Sequence, residues 1–188
     1  MQTETNLNKQ ISSTWYRSKL WGHIAAVSML PYALLKTLWA IDINVGMTLE
    51  TLAIVHTGMT TFAGPIIGFL YRHGMDITAI LAIIASLLSL SLVRSWGEVF
   101  PSWIPFIGKR HVPRWLVLTP AWLGGLVFTF IGGPIAISNL LQSLGVVETP
   151  DSEGIDMWVF HLVYGGFFIW GITTCLAALA YQIRTRKQ

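Results

Sequence analysis

Three ionisable side chains lie within or beside the apolar runs of this 188-residue chain, close enough in sequence to act together. Lys36 lies near the end of one run, and Glu50 and His56 lie in the next, with only a short turn between the runs. Ionisable groups inside a membrane span are costly, and they commonly mark sites. We expect a pocket for an anionic or protonatable small molecule, with Lys36 as counter-charge and His56 as a proton-sensitive partner. In the alternative interpretation Lys36 snorkels or pairs with Glu50 or Asp42, and Glu50 caps its helix.

A second group of ionisable residues lies at the opposite ends of the predicted spans: His23, Arg72, His73, Asp76, Asp156 and His161. Histidines and carboxylates bind zinc, and histidines are axial ligands of haem. No two histidines have a ligand spacing such as HxxxH, so no cofactor is predicted. A metal or haem site remains an alternative, with His23, His73 and His161 as its candidates. In the simpler interpretation, Arg72 and His73 pair with the acidic loop 148–156.

The sequence motifs of other enzyme chemistries are absent from the chain. The chain contains no GxSxG, no HExxH, no CxxC and no phosphate-binding glycine loop, so no catalytic residue is predicted. The single Cys175 cannot form a disulfide within the chain. The net charge of +3 and the pI near 9.2 do not indicate nucleic-acid binding, because the basic residues flank apolar runs and are not interleaved with stacking aromatics.

Composition indicates that the elements positioning these residues are membrane helices. Hydrophobic residues make up 53% of the chain and charged residues 11%, against about 25% charged in soluble domains. Apolar runs of about 20 residues are long enough to cross a bilayer. The sequence predicts an all-α, polytopic transmembrane bundle in one domain, residues 20–181. A polar tail, 1–19, precedes it and a basic tail, 182–188, follows it. The five predicted spans cover about 20–41, 48–71, 77–93, 115–137 and 158–181.

Short connections and proline-rich stretches predict how these spans are arranged. The five-residue link 72–76 predicts a tight antiparallel hairpin of spans two and three. Gly64 and Pro65 predict a bend inside span two. Within the segment 94–115, the portion VFPSWIPFI at 99–107 is too apolar for a free loop and too short and rich in proline for a span, so we expect it to lie half-buried in the membrane interface.

The distribution of Lys and Arg predicts the sidedness, because basic residues near span ends favour the cytoplasmic side. With five spans, one face carries seven basic residues and the other four. The N-terminus is therefore expected outside and the C-terminus inside. A four- or six-span arrangement that keeps every basic segment inside is the competing hypothesis.

Two segments carry a family resemblance, LPYALLKTLWA at Leu30–Ala40 and VRSWGEVFPSWIPFIGKRHVPRWLVLTPAW at 93–122. They resemble a group of small, uncharacterised multi-pass membrane proteins of Gram-positive bacteria. The resemblance implies a bacterial plasma-membrane location and a recurrent lysine in the first span, and it brings no established activity.

The leading functional prediction is a non-enzymatic membrane protein that binds or transports a small molecule or ion, or acts as a membrane subunit of a complex. Its expected partners are the lipid bilayer, a small ligand and a membrane-complex partner, with no nucleic acid. The alternatives are a membrane-embedded redox or metal enzyme and a scaffold or immunity-type partner.

Overall fold

The computed structural model describes residues 19–148 and 154–185, and within these ranges all regular structure is helical apart from two isolated β-bridges. We label the helices in chain order: α1 Leu20–Ser28, α2 Leu30–Ala40, α3 Leu49–Thr57, α4 Pro65–Arg72, α5 Ile77–Ser91, α6 Arg114–Ser143 and α7 Met157–Thr185. A π-helical turn, Gly58–Phe62, continues α3. Two more lie inside α6 and α7, at Phe128–Gly132 and His161–Gly165. The predicted all-α class is confirmed.

Two of the described helices, α6 and α7, are long and apolar enough to cross a membrane, with 30 and 29 residues. A third span is added if α4 and α5 are counted together, although they are bent by 88°. These helices carry exposed apolar side chains, for example Leu123 at 65% exposure, as a lipid-facing surface does. The structure therefore fits a membrane protein with two or three such helices. It does not support five spans.

Helices α1 and α2 are joined through Met29, which keeps helical backbone angles, so that they form a nearly continuous rod. This rod packs antiparallel to α5. A Cβ at Gly22 would lie only 2.5 Å from Val93 Cγ1, and the Ser86 hydroxyl donates a 2.6 Å hydrogen bond to the Ala26 carbonyl. Small residues at the contact let the two backbones approach closely, as in membrane helix pairs.

Contacts at one end of the bundle join segments that are far apart in sequence. The Tyr181 hydroxyl donates to the Gly97 carbonyl at 2.8 Å, and Arg184 donates to Glu98 and to the Leu92 carbonyl. Trp21 packs against the same apolar cluster as Tyr181, so the end of α7 lies beside residues 92–98 and the start of α1. The prediction that the two tails lie on opposite faces is not supported.

The opposite end of the bundle collects the remaining connections. A β-bridge joins Met47 to Ile155, and the Thr48 amide donates to the Gly154 carbonyl at 2.7 Å. An ion pair between Lys36 and the residue before α5 places the 72–76 link here as well. The run 49–72 therefore begins and ends at the same end of the bundle.

Residues 49–72 form a helical hairpin and not a straight helix. The chain reverses at Gly64, whose φ of +93° is unfavourable for residues with a side chain, and Pro65 then begins α4. On the way back Gly68 packs against the Thr60 carbonyl, and the Tyr71 ring meets the His56 ring. The prediction of a tight antiparallel pair of spans two and three is wrong, because the reversal takes place at Gly64 and α4 meets α5 at 88°.

The segment between α5 and α6 folds into a short two-stranded loop over 98–112, which we call the basic loop. The Phe100 amide donates to the Arg110 carbonyl, and the Lys109 amide donates back to the Phe100 carbonyl, both at 2.9 Å. At its tip, Trp103 and Phe106 are 80% and 94% exposed. The sequence predicted the apolar character of this segment and not its paired backbone.

Candidate functional site

A buried ion pair between α2 and the start of α5 is the centre of the candidate site. Lys36 Nζ lies 3.1 Å from Asp76 Oδ2, and the two side chains are 14% and 0% exposed. The other carboxylate oxygen, Oδ1, accepts hydrogen bonds from the Thr78 amide at 2.7 Å and the Thr78 hydroxyl at 2.6 Å. Asp76 is therefore held as the N-cap of α5 while its second oxygen faces Lys36. A carboxylate buried this deeply needs a charged partner, and Lys36 supplies it.

Two buried oxygen atoms, one in the ion pair and one on the helical hairpin, lack a hydrogen-bond partner among the described residues. Asp76 Oδ2 and the Tyr71 hydroxyl are both buried and make no directed hydrogen bond to any described residue. The contact of Oδ2 with Lys36 is thus a close charge pair without hydrogen-bond alignment. Lys36 Nζ also lies 5.3 Å from the centroid of the Trp39 ring, at a distance where a cation is attracted to an aromatic face. The site therefore combines a cation, an anion and an aromatic face within about 5 Å of the Lys36 ammonium.

His56 links the helical hairpin to the end of α2. Its Nε2 lies 2.8 Å from the Trp39 carbonyl oxygen, and its Nδ1 lies 3.5 Å from Asp42 Oδ1. A carbonyl oxygen only accepts, so Nε2 must be the protonated nitrogen of the neutral ring. A second proton on Nδ1 would face the Asp42 carboxylate. The ring also meets the Tyr71 ring edge to face, with centroids 5.1 Å apart. His56 thus ties the base of the hairpin to Trp39 and Asp42 at the end of α2.

Glu50 does not join this group. It is exposed in the first turn of α3, and the cap of that helix is the Thr48 hydroxyl oxygen, which accepts from the Thr51 amide at 3.3 Å. Among the described residues Lys36 pairs with Asp76 and with neither Glu50 nor Asp42. Sequence reasoning placed Asp76 in the second ionisable group and missed it as the partner of Lys36. It interpreted 48–71 as a span, which put positions 36 and 76 on opposite faces. The local signal was Asp76 followed by Thr78, an N-cap motif at the start of α5.

The three candidate metal-binding histidines do not come together. His23 lies thirteen residues before Lys36, about 20 Å along the helix, and its Nδ1 contacts the Lys19 carbonyl. His73 contacts the Phe69 carbonyl through Nδ1 at 2.8 Å. The described ranges contain no group of three or more His, Cys, Asp or Glu side chains that could hold a metal ion.

The loop predicted to pair with Arg72 and His73 is only partly described, since 149–153 lie outside the described residues. His161 Nε2 lies 2.6 Å from the Ser143 hydroxyl, which ties α7 to the end of α6. Asp156 accepts a hydrogen bond from the Trp158 indole at 3.1 Å. These two contacts are local ties at the end of the bundle and do not extend to Lys36.

A line of packed aromatic rings runs from the ion pair toward the centre of the bundle. It begins at Tyr32, one helical turn before Lys36, and it continues through Phe167, Phe128 and Trp170 with centroid distances of 4.8, 4.9 and 5.2 Å. At its end the Trp170 indole donates a 2.9 Å hydrogen bond to the Ser89 hydroxyl. Sequence reasoning did not include these residues as a site, because their contacts join four different helices, α2, α5, α6 and α7.

The chain matches no protein-family model, no curated protein and no solved structure.

Proposed function

We propose that this chain is an integral membrane protein that binds or moves a small ion or protonatable molecule, with the Lys36–Asp76 pair as the binding centre. The supporting observation is the complete burial of the Asp76 carboxylate beside Lys36 at the end of an apolar bundle. Charged groups in such surroundings are costly, and they are typical of ion and substrate pathways.

The pair suits a ligand that can replace one member of the ion pair. A small cation would compete with Lys36 for Asp76 Oδ2, and a proton on Asp76 would leave Lys36 free to bind an anion. The Tyr71 hydroxyl is a further polar contact that no described residue uses. His56 and Tyr71 meet each other in the helical hairpin, and His56 also contacts the carbonyl of Trp39, whose ring lies beside Lys36, so a shift of the hairpin would disturb the surroundings of the pair.

We infer a topology of four crossings, made by α1 with α2, by α5, by α6 and by α7. The helical hairpin enters and leaves on the same side, and both ends of the chain are cytoplasmic. In this arrangement ten of the twelve Lys and Arg residues belong to segments on the cytoplasmic side, and seven of the nine acidic residues belong to the other side. This charge separation agrees with the preference of basic residues for the cytoplasm. The bacterial plasma membrane as the location depends on the resemblance of Leu30–Ala40 and 93–122.

The test is a ligand screen by thermal unfolding of the detergent-purified protein. Alkali and alkaline-earth chlorides, ammonium salts and small organic anions are added one at a time. A ligand present at a hundred times its Kd stabilises the folded state by about 2.7 kcal/mol. We expect at least one such shift in the wild type. A shift caused by a cation should be lost in Asp76→Asn, and a shift caused by an anion should be lost in Lys36→Met.

Glu50→Gln is the matched control, because Glu50 is a carboxylate on the same face that does not contact the pair. It should keep the full shift. If the Lys36 and Asp76 variants kept the shift while remaining monodisperse in gel filtration, the ion pair would be structural and the proposal would be refuted.

A further inference from the structure

An apolar cleft of about 650 Å³ lies at the end of the bundle away from the ion pair, between α5, α6 and the basic loop. Its volume is within the range of ligand pockets, about 300–1,000 Å³. Helix side chains form one wall and the loop forms the other: Leu87 and Leu88 from α5, Leu116 and Val117 from α6, and Phe100 and Trp103 from the loop. This lining suits a hydrocarbon chain.

The cleft is open to the outer surface of the bundle, where a membrane protein meets lipid. Leu87 is 51% exposed and Leu116 is 43% exposed, although both belong to long apolar helices. Trp103 and Trp96 lie at the same opening, and indole rings of this kind prefer the headgroup level of a bilayer. A lipid chain could therefore enter from the side.

Positive charge lies on the part of the loop whose backbone is paired with Phe100, a residue of the apolar wall. The Phe100 backbone pairs with Lys109 and Arg110, and both of these side chains are exposed. The nearby acid, Glu98, is already neutralised by Arg184 at 2.8 Å. Basic side chains beside membrane helices attract anionic lipid headgroups.

We infer that this cleft binds one acyl chain of an anionic phospholipid, whose phosphate is held by Lys109 and Arg110. The apolar lining selects a hydrocarbon, and the charge of the loop selects the headgroup. The site lies at the other end of the bundle from Lys36 and Asp76, so this inference does not depend on the function proposed for that pair.

The experiment uses the full chain in lipid nanodiscs with phosphatidylglycerol that carries a diazirine in one acyl chain. Phosphatidylcholine with the same labelled chain is the neutral probe. After illumination, the crosslinked peptides are identified by mass spectrometry. We expect the phosphatidylglycerol probe to label peptides containing α5 residues 84–91 and the basic loop in clear preference to phosphatidylcholine.

Two sets of variants test the recognition of the lipid headgroup and the binding of the acyl chain separately. Lys109→Gln with Arg110→Gln should lower the preference for phosphatidylglycerol about 25-fold, because each basic residue near the surface contributes about fivefold. The charge-conserving pair Lys109→Arg with Arg110→Lys should keep it. Arg72→Gln removes an exposed charge at the other end and should also have no effect.

To test the binding of the acyl chain, Leu87→Trp fills the cleft. This variant should reduce the labelling of the cleft peptides by both probes. Leu123→Trp adds the same bulk on a 65% exposed site outside the cleft and should not. Equal labelling by both probes in the wild type would show ordinary annular lipid and overturn the inference. Displacement of the phosphatidylglycerol probe by millimolar glycerol phosphate would also overturn it, because the site would then bind free phosphate.

Discussion

The two carboxylate oxygens of Asp76 have separate tasks. Oδ1 accepts two hydrogen bonds from Thr78 and caps α5, while Oδ2 faces the Lys36 ammonium. An asparagine at this position keeps an oxygen for the cap and removes the charge. Asp76→Asn therefore separates the electrostatic role of this residue from its capping role.

We predict that Asp76→Asn lowers the free energy of unfolding by about 3–5 kcal/mol, because it leaves the Lys36 charge buried without its partner. Lys36→Met should have an effect of similar size, because it leaves the Asp76 carboxylate buried without its partner. The double variant should be more stable than either single variant, since no unpaired charge remains. Denaturant unfolding in mixed micelles measures all three.

Glu50→Gln is the control for this cycle and should stay within about 0.5 kcal/mol of the wild type, as exposed substitutions do. Additive losses in the double variant would contradict the ion pair. Glu50 is an informative control because the sequence alone predicts it, like Asp42, as a possible partner of Lys36. Asp76 is forty positions away, and only the folded hairpin between them places it beside Lys36.

A second residue-scale prediction concerns the buried indole of Trp170, which is 3% exposed and donates to Ser89. Ser89→Ala removes the acceptor and should lower the free energy of unfolding by about 1–2 kcal/mol. In a Trp170→Phe background the same change should have much less effect, because no indole N–H is then left without a partner. An equal effect in both backgrounds would show that the Ser89 hydroxyl acts through other contacts.

At the scale of the element, the helical hairpin is the part that the sequence could not predict. Its 24 residues are apolar and long enough to cross a bilayer, so length and hydropathy predict a span. The proline after Gly64 indicated a bend without indicating its angle. The reversal depends on tertiary contacts, Gly68 against Thr60 and His56 against the Trp39 carbonyl, and no local pattern predicts these.

The hairpin can be tested at Gly68, where a Cβ would lie 2.7 Å from the Thr60 carbonyl oxygen. Because that neighbour is backbone, Gly68→Ala must push the two arms apart. We expect a loss of about 1–3 kcal/mol in the free energy of unfolding, typical of overpacking. Limited proteolysis should also cut faster between residues 58 and 70.

Gly58→Ala is the matched control, because a Cβ there meets no atom within 4 Å and the residue is helical. Alanine favours a helix over glycine by up to about 1 kcal/mol, so this variant should be as stable as the wild type or more stable. If Gly68→Ala behaved like Gly58→Ala, the close approach of the two arms would not exist in solution.

At the scale of the whole molecule, composition predicts membrane helices but does not predict how many times the chain crosses the membrane. The shortage of charge and the length of the apolar runs predict membrane helices, and α6 and α7 fit that prediction. The number of crossings depends on whether 49–72 crosses or returns. That single element reverses the sidedness of everything before it. With Lys36 left out of both counts, five spans give seven basic residues against four, while four crossings give ten against one.

Cysteine labelling of intact cells distinguishes the two topologies. In a Cys175→Ala background, single cysteines replace Ile43, His73 or His111, all of them exposed, and a membrane-impermeant maleimide is added from outside. With four crossings Ile43→Cys and His73→Cys lie on the same, external side, so both should react, while His111→Cys should react only after lysis. Labelling of His73→Cys without Ile43→Cys would mean that 49–72 crosses the membrane. Labelling of His111→Cys alone would keep the hairpin and reverse the sidedness, because the contacts between Lys36 and Asp76 and between Met47 and Ile155 hold positions 43 and 73 at one end in either case.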